Sequence, residues 1–493
     1  ISSDKILRIG IDVDNEGLSS QEVKSSSNVS FYILANRSEM KLLDLNEKNV
    51  TFQKSNYHIR VSENLLTEKA MMEKLSSYKA IDSSVYPVYS GGWYIAYGSY
   101  TDESDGIGAL LNAKKKFAYD KASLYYSNKL IDIVGTKKLV SYNVDDGDFF
   151  VKEDTEKSVL SINGKSYRNG ISVIFSPNSN FTIVNIVPID DYLYGVLPKE
   201  MNGIWHIEAL KAQAVAARNF ALVNIDKYKK YGYDLSATTN SQVYGGLDVE
   251  EDGSNLAVDL TRGSVLVYED KLVAAYYHSN SGGRTESSEN VWSSKLPYLR
   301  GVLDEYSMFQ PNYTWEKSYT AIEVSAILFE AGYYVGSLKD IRINEVSENN
   351  RVQSVSFIGD SEIITLEKEK IRAVFGYSDI KSIWYTIDKG GNVALKSATN
   401  ISTRPASNMT VLTKDGIKKI DASSANVYDG NTISKVYVSK STSNDVFVFK
   451  GYGYGHGLGM SQYGAKIMAE KGFTYEEILT HYFSETKLIN TLN

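Results

Sequence analysis

The sequence predicts an α+β fold: strand-rich, with one central alanine-rich helix and a small α/β unit inserted early. Three observations predict it. Short runs of alternating apolar and polar residues, the pattern of half-buried strands, recur along the chain. One stretch, from about Ile207 to Tyr228, instead places Leu210, Ala214, Ala217, Ala221 and Ile225 at helical spacing. The chain also carries 37 tyrosines against 7 prolines, a β-leaning composition.

In chain order, Lys5 to Val13 alternates around Ile6, Leu7, Ile9 and Ile11, and Val29 to Leu34 repeats the pattern, so both read as strands. Glu63 to Lys79 reads as a helix, the run from Trp93 to Ser99 as a strand, and Leu110 to Tyr126 as a second helix. From Leu139 to Val187 the turn pairs Asn163-Gly164 and Asn169-Gly170 separate short strands. A short helix follows at Asp191 to Val196, then the central helix, stopped before Gly232. Ser264 to Tyr268 and Val273 to Ser279 read as strands, and Thr320 with Glu323 forms a capping box. Strands near Ile341 to Val346 and Val352 to Ile358 precede a short helix at Glu367 to Phe375. The chain closes on a strand at Val446 to Lys450, a glycine-rich loop, a helix from about Ser461 to Glu470, and a last helix capped by Thr474 with Glu477.

Composition excludes several functions. The 493 residues hold no cysteine, so disulfides, thiolate catalysis and cysteine-bound zinc are ruled out, and the five histidines show no metal-ligand spacing. The net charge of -7 carries no basic block, which argues against nucleic acid as a partner. A start at Ile1 is expected of a processed or trimmed chain.

Chemistry rests on carboxylates, histidine, hydroxyls and arginine. Glu200 lies in Val196-Leu-Pro-Lys-Glu-Met201, where Pro198 restricts the turn and apolar neighbours desolvate a carboxyl group, favouring the protonated form that general acid catalysis needs. A surface glutamate held by a helix dipole is the alternative. Arg218 sits beside the apolar stripe of the central helix and needs a partner, either a structural carboxylate or an anionic sugar substituent. Tyr276-Tyr-His-Ser-Asn-Ser-Gly-Gly-Arg284 ends a strand in a polar turn, offering Tyr277, Ser279, Ser281 and Arg284 to a ligand, although a tight turn explains the glycines equally well. Gly451 to Gly464 alternates glycines before a helix but fits neither nucleotide fingerprint. An extended backbone running close under a ligand is the better reading, with His456, Ser461, Gln462 and Tyr463 supplying hydrogen bonds.

Together, Val187-Pro-Ile-Asp-Asp-Tyr-Leu, Pro198-Lys-Glu-Met201, Ala209-Leu-Lys-Ala-Gln-Ala-Val-Ala-Ala-Arg218, Gln242-Val-Tyr-Gly-Gly246, His278-Ser-Asn-Ser-Gly-Gly-Arg-Thr-Glu286 and Gly453-Tyr-Gly-His-Gly-Leu-Gly-Met-Ser-Gln-Tyr-Gly-Ala465 resemble the stage II sporulation protein D family, also called SpoIID/LytB. The resemblance implies a lytic transglycosylase that cuts peptide-free glycan strands of peptidoglycan, or a noncatalytic amidase enhancer. It implies Glu200 as the catalytic residue and places Arg218 and His456 at the catalytic cleft. It also implies peptidoglycan, a cell-wall amidase and other engulfment proteins as partners. The location it implies is outside the cytoplasm, at the cell wall or sporulation septum, reached through an N-terminal anchor or secretion segment. Some relatives carry a metal-binding cysteine where this chain has Ser241, so no cofactor and no metal are expected. The stretch Gly92-Trp-Tyr-Ile-Ala-Tyr-Gly-Ser-Tyr100 with the helix after it is similar to a sporulation-related repeat (SPOR), which binds peptide-free glycan. The expected organisation is strands of the catalytic domain in residues 1–65, a SPOR-like insert in 66–135, and the catalytic domain in 136–493.

Overall fold

The computed structural model describes residues 5–12, 20–155, 157–175, 181–292, 294–390, 392–396, 401–405, 410–413, 416–419, 424–428, 433–437 and 446–492. Its contacts divide the chain into two compact units, and both mix helices with a larger share of strand. The first comprises residues 1–204, 217–265 and 490–493, the second residues 205–216 and 266–489.

The first unit is organised on one sheet of 15 strands among the described residues. Four open the chain: β1 (Ile6–Asp12), β2 (Ser20–Ala35), β3 (Ser38–Lys54) and β4 (Tyr57–Arg60). Helices then alternate with strands in α1 (Glu68–Lys79), β5 (Val85–Tyr89), β6 (Trp93–Tyr100), α2 (Glu103–Phe117) and β7 (Ser123–Tyr125). β8 (Leu130–Val134), β9 (Lys138–Asn143) and β10 (Asp148–Glu153) follow, then β11 (Val159–Ile162), β12 (Lys165–Arg168), β13 (Gly170–Phe175) and β14 (Phe181–Pro188). After α3 (Ile189–Glu200) comes α4 (Ile207–Val223), divided between the two units at residue 217, and then β15 (Leu235–Ser236) adds an edge and α5 (Asp252–Leu260) closes the unit's helices. Across the sheet the order is β15-β1-β14-β13-β10-β2-β3-β8-β9-β5-β6-β4-β7, with β11 pairing β2 and β12.

Local chemistry accounts for these elements. Asn163 and Gly164 both adopt positive φ, the requirement of the two-residue turn joining β11 to β12. α1 and α2 begin later and earlier, respectively, than apolar spacing predicts, because Thr67 and Asp102 cap them through their side chains. α2 stops at Phe117, where Ala118 turns left-handed. α3 runs four residues past its predicted end, through Pro198 to Glu200. α4 stops at Val223, short of Tyr228.

The four strands β5-β6-β4-β7 with α1 and α2 packed on them form the βαββαβ part of the sheet. Trp93 and Tyr94, in the stretch similar to a SPOR repeat, are interior at 3% and 1% exposure. The face carrying Tyr86, Val88, Tyr94 and Ala96 is covered by Leu130 and Tyr125. At the other end, buried Asp234 accepts hydrogen bonds from Arg8 and Arg37, each at 2.8 Å.

In the second unit, the strands Thr314–Thr320, Val446–Tyr452 and Tyr385–Gly390 form one sheet, and Leu338–Val346, Val352–Gly359 and Ile363–Glu367 another. Trp315, Val324, Leu328, Phe357, Phe375 and Phe449 fill its core. Its helices are α6 (Ser288–Val291), α7 (Ala321–Glu330), α8 (Lys370–Phe375), α9 (Gln462–Glu470) and α10 (Tyr475–Tyr482). Both predicted capping boxes, Thr320 with Glu323 and Thr474 with Glu477, are formed. Among the described residues no helix is long and apolar enough to cross a membrane.

Candidate functional site

Glu200 is the last residue of α3 and is half-buried. It stands at the helix end where the macrodipole disfavours an anion, the reverse of the dipole-held glutamate that a helix start would give. What fixes α3 is the Gln242-Val-Tyr-Gly-Gly246 segment. Tyr192, fully buried on α3, donates to Gln242 Oε1 at 3.2 Å and packs on the Tyr244 ring at 5.0 Å. Tyr244 donates to Asn185 Oδ1 on β14 at 2.8 Å, and Gly245 N donates to Gly195 O at 3.0 Å. A methyl at Gly195 would come within 2.5 Å of the Tyr244 ring. Burial pushes the Tyr192 hydroxyl far above its usual titration range, and the charge of Glu200 adds to the shift.

Arg218 belongs to the same unit but has 0% exposure. Its Nη2 donates to Asp190 Oδ1 at 2.9 Å, and Nη1 reaches Ser264 O at 3.3 Å. Of the two partners open to it, Arg218 therefore has the structural carboxylate in this structure. The guanidinium ties α4 to Asp190 in the first turn of α3, so its effect on Glu200 runs through the helix.

The other eight predicted residues lie in the second unit, where two loops from distant parts of the chain interlock. Tyr277 and His278 pair in parallel with Met460 and Ser461. Asn280 and Tyr454 exchange backbone hydrogen bonds at 3.2 and 2.8 Å, Tyr463 N donates to Ser279 O at 3.0 Å, and Glu286 N donates to Gly457 O at 2.8 Å. The alternating glycines serve this interlock. A methyl on Gly455 would meet His278 Cβ at 2.5 Å, and one on Gly457 would meet the Arg351 guanidinium carbon at 2.4 Å.

Ser281 and Ser461 are likewise fully buried, so neither hydroxyl is offered to a ligand. Ser281 donates to Asp304 at 2.6 Å, and Ser461 caps α9 by accepting from Gly464 N. Tyr277, Ser279, His456 and Tyr463 remain partly exposed, Gln462 is buried, and Arg284 is exposed with no carboxylate paired to it among the described residues.

Two residues at this junction, Asp304 and Arg351, have no flag in the sequence, and a third, Glu286, ends the His278–Glu286 motif with no role assigned to it. Asp304 is buried, accepts from Ser281 and from Tyr482 at 2.9 Å, and burial raises its carboxyl above the usual range. Arg351 is buried and donates from Nη2 to Ser281 O and Arg284 O, each at 3.0 Å. Glu286 accepts from Asn349 at 2.7 Å and from Ser347. Asp304 and Arg351 are isolated charges in unremarkable stretches of sequence, and for all three only tertiary pairing makes the charge interior.

The two histidines of the junction are neutral for the same reason. His278 hydrogen-bonds Leu458 O through Nδ1 at 3.1 Å, and burial, then the nearby His456 and Arg351, hold it well below its ordinary value. His456 Nδ1 accepts from Leu458 N at 3.0 Å, and burial lowers this ring to about 3. Folded histidines that stay neutral lose ground to an unfolded chain that protonates near pH 6.5. Stability of the second unit should therefore fall as pH drops below about 6.5. For His278 alone the slope is about 1.4 kcal/mol per pH unit. Urea unfolding between pH 8 and pH 5 measures it, and a His278→Asn variant with an unchanged slope would refute the assignment.

Ser241, where the resemblance sets a metal-binding cysteine in some relatives against a serine here, accepts through Oγ from Ser236 N at 3.2 Å. A neutral hydroxyl so engaged does not fit a metal, and no group of three or more His, Asp or Glu side chains is arranged to hold one among the described residues.

A family model described as "Stage II sporulation protein" matches residues 177–268, the span that carries β14, α3, α4 and the Gln-Val-Tyr-Gly-Gly segment. The chain is 36% identical over 219 residues to an uncharacterized protein of Brachyspira hyodysenteriae, covering 44% of this chain and 54% of that one. It is 31% identical over 438 residues to the amidase enhancer of Bacillus subtilis, covering 76% of this chain and 56% of the relative. It is 26% identical over 336 residues to stage II sporulation protein D of Bacillus subtilis, covering 64% and 79%. The chain spans about half the length of the first two of these relatives. On these motifs, their order and these matches, the chain belongs to the stage II sporulation protein D (SpoIID/LytB) family.

Proposed function

We propose that this protein is a lytic transglycosylase that cleaves the bond between N-acetylmuramic acid and N-acetylglucosamine in peptide-free glycan strands. The observation that carries the reading is the placement of Glu200: a half-buried carboxyl group at the end of a helix that Tyr192, Gln242 and Tyr244 lock in place. Glu200 protonates the leaving glycosidic oxygen as the C1–O bond breaks. As carboxylate it then takes the proton of the muramyl C6 hydroxyl, whose oxygen closes on C1 to give a 1,6-anhydro end. One carboxyl group serves both steps, so no second one is required. In the second unit, taken by itself, Arg284 is exposed and unpaired with any carboxylate among the described residues, which suits it to bind a carboxylate-bearing glycan.

The site of action we infer is the cell wall or sporulation septum, outside the cytoplasm, and residues 66–135 act as a SPOR-like module for the same glycan. The name of the Bacillus subtilis relative supports a second reading, a noncatalytic glycan-binding protein that stimulates a separate amidase. Mass analysis of peptide-free glycan after incubation with the purified chain decides between them. A transglycosylase gives anhydromuramyl ends, in a yield unchanged by EDTA, whereas a hydrolase gives reducing ends and an enhancer leaves the strands intact.

A further inference from the structure

Four aromatic rings form a continuous row on the second unit, and of these only Tyr452 lies in a stretch described above, the start of the glycine-rich loop. Phe309 meets Tyr313 at 5.2 Å, Tyr313 meets Tyr452 at 5.7 Å, and Tyr452 meets Trp384 at 5.4 Å between ring centroids. Phe309 is 82% exposed and adopts a left-handed backbone, φ 61°. For a bulky residue that conformation is strained, and an exposed ring recovers little by packing within the fold. Nothing in the interior requires a phenylalanine there.

The loop that presents this ring is held rigidly. Asn280 Nδ2 donates to Ser307 O and Pro311 O, each at 3.0 Å, Asn312 Nδ2 donates to Ser279 Oγ at 3.2 Å, and Gly453 N donates to Tyr313 O at 2.7 Å. The row is thereby pinned to both interlocked loops. Its polar edges are also open: neither the hydroxyls of Tyr313 and Tyr452 nor the indole N–H of Trp384 makes a hydrogen bond among the described residues.

We propose that Phe309, Tyr313, Tyr452 and Trp384 form a stacking subsite for the pyranose rings of a glycan chain. A pyranose presents a face of C–H bonds that packs on an aromatic ring and a rim of hydroxyls that needs hydrogen-bond partners. Rings with open polar edges offer both, where an apolar protein partner would leave those edges unsatisfied. The ligand class rests on the function proposed above, while the subsite itself does not depend on Glu200 being catalytic.

The test uses the full chain carrying Glu200→Gln, so that glycan is not consumed, with chitotetraose and peptide-free glycan strands as probes in calorimetry. Asparagine tolerates a left-handed backbone, so Phe309→Asn removes the ring without adding strain. It should weaken binding roughly three- to tenfold, the value of one aromatic contact, without lowering the melting temperature. Phe309→Tyr should bind like the parent. Equal affinity in Phe309→Asn and the parent overturns the subsite, as does a parent that binds neither probe. A loss of affinity accompanied by a lower melting temperature also overturns it, because Phe309 would then be structural. Release of anhydro ends by the unmodified chain is read separately, so the catalytic reading stands or falls on its own.

Discussion

Glu200→Gln should abolish cleavage of peptide-free glycan while leaving its binding intact. The amide keeps the shape and hydrogen-bonding reach of the side chain but can neither deliver nor recover a proton. General acid and base participation contributes about 10²- to 10⁴-fold, so release of anhydromuramyl ends should fall by at least that range. Glu200 is half-buried at the end of α3, and the packing that fixes this helix comes from Tyr192 and Tyr244, so the melting temperature should hold. Product counts by mass spectrometry, with calorimetric binding alongside, separate the outcomes. Anhydro ends at near the parent rate would remove Glu200 from the chemistry. A parent that itself produces none would put the amidase-enhancer reading first.

Arg218→Ala should fail differently, by unfolding the first unit. The side chain is fully buried and bonded to Asp190 at 2.9 Å. Deleting it leaves Asp190 with Arg262 at 3.2 Å, an exposed partner that solvent screens. It also strips a donor from the Ser264 carbonyl. Removing one member of a buried pair costs about 3 to 5 kcal/mol, a large share of a typical domain's stability. Urea titration followed by circular dichroism measures it, and a loss below about 1 kcal/mol would contradict the pairing. In whatever fraction remains folded, glycan affinity should match the parent, because no atom of Arg218 reaches solvent. A selective loss of affinity would instead return Arg218 to the binding surface.

Local features proved legible from sequence wherever a short-range rule governs them. The Asn163-Gly164 hairpin and both capping boxes form as read, since each depends on residues within four positions of one another. The central helix is likewise present, though Val223 ends it earlier than apolar spacing suggests. What sequence could not convey is which side of an element faces inward once strands from distant segments join. The strand that carries Trp93 is legible, but that its ring is interior follows only from the assembled fold. Around the candidate site the same limit applies to polar residues. A motif lists Ser281 and Ser461 as donors without revealing that Asp304, in no motif at all, receives the first and lies beside the second. The glycines between Gly453 and Gly459 signal close approach correctly, but only the fold identifies the neighbour as His278 and Arg351.

The interlock between the two loops also bears on when the protein can work during its own synthesis. His278 and its backbone partner Leu458 are 180 residues apart in the chain. At a ribosomal pace of about 5–20 residues per second, the first loop waits roughly ten to forty seconds for the second to be made. Throughout that interval the strand Tyr277–His278 has no parallel partner, and the carbonyl of Ser279 lacks the Tyr463 amide that will satisfy it. Unpaired backbone of this kind is open to mispairing and to proteolysis. A nascent chain emerged only as far as residue 445 therefore holds α3 and Glu200 but half of the glycine junction, so any activity that requires both loops begins only once the second loop has been made.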